Sequence, residues 1–448
     1  MKIAVIVIFA ALVALSVVAW VIEPLDNSRN TSIVWVTDDN PARRGQIDLF
    51  NRLHRDTELR LDPANTGVEK IVVQCLAGVG PDLFDCTDPS ALATFVRSGI
   101  AWDVTNDLQR AGVAPLRDQW SVVHPLVRYR GRVYGCGTNA SANGIWFNKD
   151  AFDRAGLPYP EGEWTWEEFL PIAKRLTVRD ARGRIRQFGF SIDWSAMWQQ
   201  FIWQWGGRVY SEDGTRCVLG SPQAVEAVQF MQDLVYKYRI APTPAEESGT
   251  SQGGWGAGYI NQFGAGRAAM AVGGRWWLCS LRNFGDLRLG AVECPRGRHR
   301  VFYGYSRATL INRDSPRREQ ALKFLVYMSG MPYNNLINEQ ADGLAPVISS
   351  CCTPEFLHNP KYPSEDFNSV WRGIMGHSRP AEISPFIDYQ VANRIFAKQL
   401  DLIKANQKTA SQGMRAAEKA INEQIRKNIH RDPILRAQYE ALTRRQSK

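Results

Sequence analysis

The stretch from residue 131 to 176 constrains the fold more than any other. It reads GRVYGCGTNASANGIWFNKDAFDRAGLPYPEGEWTWEEFLPIAKRL. Gly131–Tyr134 is a tight turn entering a short strand, and Gly144–Asn148 is a second, apolar strand. Lys149–Ala155 reads as a short helix with Gly156 as its C-cap. Pro158 and Pro160 forbid its continuation. Thr165 then caps a new helix, with Glu168 completing a capping box. Between the two strands, Cys136–Asn143 is small and polar with no helical period. Such a segment can cross between two bodies.

The N-terminal part alternates strand and helix. Thr31–Val36 (TSIVWV) is β-rich and runs into the loop Thr37-Asp38-Asp39-Asn40-Pro41. A helix follows over Gln46–His54, with Ile47, Phe50 and Leu53 at helical spacing. Leu59–Leu61 is a strand, Gly67–Ala77 a helix and Asp82–Phe84 a third strand. Ser90 opens another helix. The β-α-β-α-β order predicts a parallel sheet with helices on both faces. Ligands of such sheets sit outside the carboxyl ends of the strands. Gly78 and Gly80 close a helix rather than open one, which excludes a nucleotide-binding reading.

Further on, Phe188–Phe190 is a strand, and Trp194, Trp198, Trp203 and Trp205 crowd the run to Gly206-Gly207. Trp194 and Trp198 share a helix face. Ser221-Pro222 opens the helix Gln223–Tyr238. Ser248–Gly258 is rich in glycine and serine, the composition of a mobile loop. Phe263–Met270 leads through Gly273-Gly274-Arg275 to Trp276-Trp277. Leu287–Glu293 is a strand, and Val301–Ile311 is a long β-rich run that could cross back to the first part of the chain. The last helices run from about Asp388 to Asn428.

Taken together, these runs resemble the extracytoplasmic solute-binding proteins of ABC importers, the family that binds sugars and oligosaccharides (family 1). The resemblance rests on the order G-R-x-Y-G, a small polar crossing, W-x-N-K-D-x-F-x-x-A-G-L-P and T-W-E-E-F, carried here by Gly131, Tyr134, Trp146, Asn148–Asp150, Phe152, Ala155–Pro158 and Thr165–Phe169. The runs G-V-G-P-D-L-F-D, F-G-A-G-R-A-A-M and G-L-A-P-V continue it, so that it spans about Ser32 to Asn428. It implies a two-lobed α/β periplasmic-binding-protein-like fold (type II), with hinged lobes around a central cleft. The implied lobes are discontinuous: 31–139 plus 309–348, and 140–308 plus 349–430. The crossings fall near Asn139–Gly144, Tyr303–Thr309 and Pro346–Ser350.

The resemblance also implies carbohydrate capture outside the cytoplasm and delivery to a membrane permease, without cofactor or metal, by a monomer. Sugars are held by aromatic faces on their C–H patches and by planar polar groups on their hydroxyls. The polar candidates are Asp38, Asp39, Asp88, Asn139 and Ser141, and the aromatic ones Trp35, Trp194, Trp198, Trp276, Tyr303 and Tyr305. By motif position, the family's stacking tryptophan is Trp276. Arg275 and Arg307 could meet an acidic sugar. Each candidate also has a structural reading: Trp35 as core, Asp38 and Asp39 as turn residues, Asp88 as a helix cap. A polysaccharide-acting enzyme and a membrane-tethered sugar receptor for a sensor are the alternative functions.

Composition narrows the field. At 448 residues the chain needs two or three domains. Residues 3–22 are apolar except for Ser16, as in a secretory signal peptide or an uncleaved anchor. Of the formal charge of +9, the residues from Gln399 onward supply +6 through 11 basic and 5 acidic side chains. That leaves little for a nucleic-acid groove in the main body. Residues 431–448 form a basic extension, either a solvated helix or a membrane or partner contact. The eight cysteines include no C-x-x-C pair, and the six histidines lack metal-ligand spacing. An oxidising compartment permits disulfides, whose pairing spacing alone does not reveal.

Overall fold

A computed structural model describes residues 31–64, 66–248 and 258–446. The leader or anchor over residues 3–22, and most of the Ser248–Gly258 loop, lie outside the described residues. Nine principal strands are used below: β1 (Thr31–Val36), β2 (Thr57–Asp62), β3 (Leu83–Cys86), β4 (Gly135–Ala142), β5 (Gly144–Asn148), β6 (Ile185–Ser191), β7 (Ala268–Gly273), β8 (Leu289–Glu293) and β9 (Phe302–Ile311). The helices that matter for the site are α1 (Arg43–Leu53), α2 (Pro89–Arg97), α3 (Trp194–Gln204), α4 (Met331–Gln340), α5 (Tyr389–Lys404), α6 (Ala410–Arg431) and α7 (Pro433–Gln446).

Two sheets define two lobes. In the first, β1 lies between β2 and β3, parallel to both. On the far side of β3 the long strand β9 runs antiparallel, and β4 pairs antiparallel with β9. In the second sheet β5 lies between β7 and β8, antiparallel to each, and β6 runs parallel to β7. The parallel parts are covered on both faces, as parallel sheets require. Along β1 the side chains alternate: Ile33 and Trp35 enter one core with Phe50 and Leu59, and Val36 enters another with Phe84 and Phe95.

Local chemistry places the joints. Asp88, Asn148 and Asp193 each cap a helix by accepting backbone N–H bonds. Thr165 and Glu168 form the expected capping box, as do Thr409 and Gln412. Gly156 takes the left-handed conformation at φ 61° that ends its helix.

The crossing segments are strands rather than loops. β4 and β9 pair from Gly135↔Leu310 to Ala142↔Gly304, with one irregularity at Arg307/Ala308. Only Asn143 separates β4 in the first sheet from β5 in the second. The lobe boundaries expected at 139/140 and 308/309 fall inside these two strands, both of which pair within the first sheet. Just before the third expected crossing, Pro346–Ser350, Leu344 exchanges backbone hydrogen bonds with Ala140 at 2.7 and 2.9 Å.

The C-terminal helices close the second lobe. Gln232 donates to the Ile403 and Lys408 carbonyls, and Asn422 brackets the backbone of Cys217. The basic extension forms α7, whose Tyr439 packs edge-on against Phe386. All eight cysteines are free thiols. Burial pushes Cys136, Cys217, Cys279, Cys294 and Cys351 up to about 12, which keeps them protonated and inert.

Candidate functional site

The two crossing strands present one shared face. On β9, Tyr303, Tyr305 and Arg307 are half-buried and two residues apart, so their side chains point the same way. On β4, Ser141 stands opposite Tyr305 and Asn139 opposite Arg307. Tyr303 and Tyr305 stack with ring centroids 5.8 Å apart and planes 28° off parallel. Burial raises both phenols, so they stay protonated at neutral pH.

From the second lobe, Trp276 meets this face. It follows the end of β7, and its indole Nε1 donates to the Tyr305 hydroxyl at 2.7 Å. Gly274 makes the approach possible. A Cβ there would lie 2.3 Å from Ser141 Oγ and 2.4 Å from Tyr305 Oη. Gly274→Ala is therefore expected to push the Trp276 turn off the crossing strands, at a cost of about 1–3 kcal/mol. Urea unfolding measures that cost, and quenching of tryptophan fluorescence reports the displacement.

From the first lobe, the loop after β1 adds an ion network. Arg307 Nη1 donates to Asp38 at 2.6 Å and to Asp85 at 3.1 Å. Asp85 also accepts from Thr37 (2.5 Å), Trp35 (2.8 Å) and Thr309 (3.1 Å). Arg43, wholly buried at the start of α1, pairs with Asp38 at 2.9 Å and with Asp342 at 3.6 Å. Asp342 in turn accepts from Asn40, Gln46 and Asn139 at 3.0–3.2 Å. Burial raises the Asp38 carboxyl, but the Arg43 and Arg307 guanidiniums outweigh it and hold its pKa below the usual carboxylate value.

The lobes also touch beside the crossing. Gln390 Nε2 donates to Asp88 at 2.9 Å, and the Tyr389 backbone N–H donates to Ser90 Oγ at 2.6 Å. Asp88, Tyr303, Tyr305 and Tyr389 line a cavity of about 40 Å³.

This arrangement, two α/β lobes joined by paired strands, is matched at the level of sequence. A profile of bacterial extracellular solute-binding proteins fits residues 36–334. The chain belongs to that family. As a member of it, this solute-binding protein is extracytoplasmic. A binding protein of Brucella abortus is 24% identical over 228 residues, 48% of this chain and 51% of its own length. An arabinooligosaccharide-binding protein of Halalkalibacterium halodurans is 29% identical over 111 residues, 25% of this chain and 24% of its own length. The solute-binding protein thus spans about half the length, or less, of these curated relatives.

Solved structures extend the likeness to the whole fold. An ABC substrate-binding protein from Listeria monocytogenes, in complex with cycloalternan, has a TM-score of 0.76 at 21% identity, covering 88% of this chain and 98% of that one. UgpB from Mycobacterium tuberculosis, in complex with glycerophosphocholine, has a TM-score of 0.73 at 17% identity, covering 89% and 100%. At such identities the likeness shows the fold alone.

Of the expected site residues, Trp276, Tyr303, Tyr305, Asn139 and Ser141 come together on the crossing, with Asp38 and Asp88 at its edges. Asp39 is exposed and pairs with the exposed Arg44 at 3.2 Å. Two expectations are corrected, Trp35 and Arg275, whereas Trp194 and Trp198 are buried to the same degree as Ser141 and Asp88. Trp35 is fully buried in the first lobe's core, 5.1 Å from Phe324, because its strand position points inward. Trp194 and Trp198 are 2% and 6% exposed, and Trp198 packs on Phe396 at 4.0 Å. Arg275 is 1% exposed, and its donors end on Asn368 Oδ1, Gly343 O and Asn338 O at 2.7–2.9 Å. It anchors the turn behind Trp276 and offers nothing to an acidic sugar. Sequence reasoning missed Asp85, Arg43, Asp342, Tyr389 and Asp193. Only the position of Asp85 and Asp193 at strand ends was a usable signal.

Proposed function

We propose that this protein captures a carbohydrate between its lobes and hands it to the membrane permease of an ABC importer. The observation that carries the reading is the shared face of β4 and β9. Two stacked tyrosines, Ser141 and Asn139 lie there against Trp276, the mixture of apolar planes and small polar groups that a sugar ring requires. The named ligands of relatives support it: an arabinooligosaccharide for one and cycloalternan for another. Lobe rotation about the β4–β9 pair admits the ligand, and the loaded, closed form is the one the permease reads. The discontinuous lobes then meet along those strands, and the chain works as a monomer. Residues 3–22 serve as its leader or as its tether to the membrane face.

The carboxylates act here as hydrogen-bond acceptors rather than as an acid/base pair. Asp38, Asp85 and Asp88 are each committed to protein donors, so no turnover of chromogenic glycosides is expected. Isothermal titration against a panel of mono- and oligosaccharides tests the reading. Stoichiometric binding of at least one member is the expected result. Silence across the whole panel overturns it.

A further inference from the structure

The charges around the crossing do not balance, and we infer that the cleft turns away anionic sugars and favours a saccharide carrying a protonated amine. This rests on the reading of the cleft as a saccharide site, and it names the class of saccharide.

A census of the walls carries the inference. In the first lobe, Asp38, Asp85 and Asp342 share two guanidiniums, those of Arg43 and Arg307. Arg43 is fully buried, so its charge is spent on the carboxylates around it. Among the described residues Arg307 is the cation that β4 and β9 themselves carry on the shared face, and one of its nitrogens already lies against two carboxylates. Arg379, beside Tyr303 on the neighbouring strand, lies 4.2 Å over the Trp203 ring, whose Nε1 donates to Glu382. A carboxylate, sulfate or phosphate approaching Arg307 would meet Asp38 and Asp85 at close range, and like charges so placed repel strongly at low dielectric. Asp88 adds a further carboxylate, 5% exposed, whose donors are all neutral: Ser90 N, Ala91 N and Gln390 Nε2.

The second lobe adds another. Asp193 follows the end of β6, beside β7, which leads into Trp276. Its Oδ1 takes the Ser195 N–H (2.9 Å), the Ser195 hydroxyl (2.6 Å) and the Ala196 N–H (3.4 Å). All three donors are neutral and reach the same oxygen. Its negative charge is felt at the Tyr305 phenol. The other charges nearby cancel in pairs: Glu247 with Lys404 at 2.6 Å, and Glu365 with Arg282 at 2.7 Å. Among the described residues, with buried Arg275 and the Arg379 and Glu382 beside Tyr303 included, six carboxylates stand against four guanidiniums.

An open polar position lies at the centre of this field. Ser141 Oγ, 4% exposed, reaches toward the Tyr305 hydroxyl without a well-formed hydrogen bond. A neutral hydroxyl suits that place. An ammonium beside it gains from the negative field of Asp193 on the second lobe, since opposite charges attract strongly at low dielectric.

Calorimetric titration with matched triplets decides the matter. Each triplet is a neutral mono- or disaccharide, its 2-amino form and its uronic acid form, in gluco-, galacto- and manno-configurations, at a pH where the amine is charged. The amino member of the bound series is expected to bind about tenfold tighter than the neutral one, equivalent to about 1.4 kcal/mol. The uronate is expected to bind at least about tenfold weaker. Raising the ionic strength should shrink both differences and leave the neutral affinity alone. Asp193→Asn keeps the helix cap, since asparagine caps as well as aspartate. It should erase most of the amine advantage without changing the melting temperature.

A uronate that binds tightest, or an amine no better than its neutral partner, overturns the inference and leaves the saccharide reading standing. An amine advantage untouched in Asp193→Asn overturns the part assigned to Asp193. No binding by any triplet, whatever its charge, overturns the saccharide reading itself.

Discussion

Trp276→Ala is expected to raise the Kd for the bound saccharide about thirtyfold while the protein stays folded. The loss corresponds to about 2 kcal/mol, the scale of an aromatic anchor removed from a binding site. Two effects add. The indole face that covers a sugar ring disappears, and Tyr305 loses the donor that holds its hydroxyl at 2.7 Å. Stability should fall by only about 1 kcal/mol, because Trp276 is half-buried and lies at a turn rather than in a core. Trp276→Phe, which keeps an aromatic plane but no N–H, should recover much of the affinity. Titration calorimetry and urea unfolding on the same samples separate the two quantities. An unchanged Kd in Trp276→Ala would remove this residue from the site.

The largest loss of stability is expected from Arg43→Met, about 3–5 kcal/mol by chemical unfolding, the range for breaking a buried ion pair on one side. Methionine fills much of the space but leaves Asp342 without its guanidinium and Asp38 with Arg307 alone. The pH dependence follows from Asp38. Its folded pKa lies below the ordinary value of about 3.9. A depressed carboxylate stabilises the folded state above the unfolded pKa, and that contribution disappears as pH falls through the folded pKa. In the unmodified protein, acid destabilisation from this group therefore begins near pH 4 and completes below it. In Arg43→Met, burial is opposed by one guanidinium fewer, the Asp38 pKa rises, and the acid limb should begin at higher pH. Urea midpoints measured from neutral pH down to the acid limit check both points. A change under about 1 kcal/mol, with an unshifted acid limb, would mean that the network is incidental.

Much of the architecture was legible because it is local. Asp88, Asn148 and Thr165 sit at helix starts for reasons contained within four residues. The small polar run from Cys136 to Asn143 is strand along most of its length and leads from the first sheet to the second. Its residues are small because β9, the helix at Trp371 and the Pro346 segment crowd in. A Cβ on Gly137 would lie 2.9 Å from Pro346, and one on Gly144 2.7 Å from Trp371. That crowding has no trace in period or propensity.

The site divides in the same way. Tyr303 and Tyr305 could be placed from alternation along one strand, and Trp276 from its motif. Trp35 went wrong because a tryptophan in a strand carries no mark of which side meets solvent. Arg275 looked like an anion receptor because its three acceptors come from Asn338, Gly343 and Asn368, far along the chain. Arg43, Asp85 and Asp342 form a network across separations of up to 302 residues, as between Asn40 and Asp342. Only the folded chain brings them together.

A crystal structure of the protein with a bound saccharide tests the central claim most directly. A sugar ring lying against the Trp276 indole, with a hydroxyl at Tyr305 or Ser141 and both lobes closed over it, is the outcome expected from the geometry. A saccharide held on an outer face of either lobe, with the β4–β9 face untouched, would contradict it.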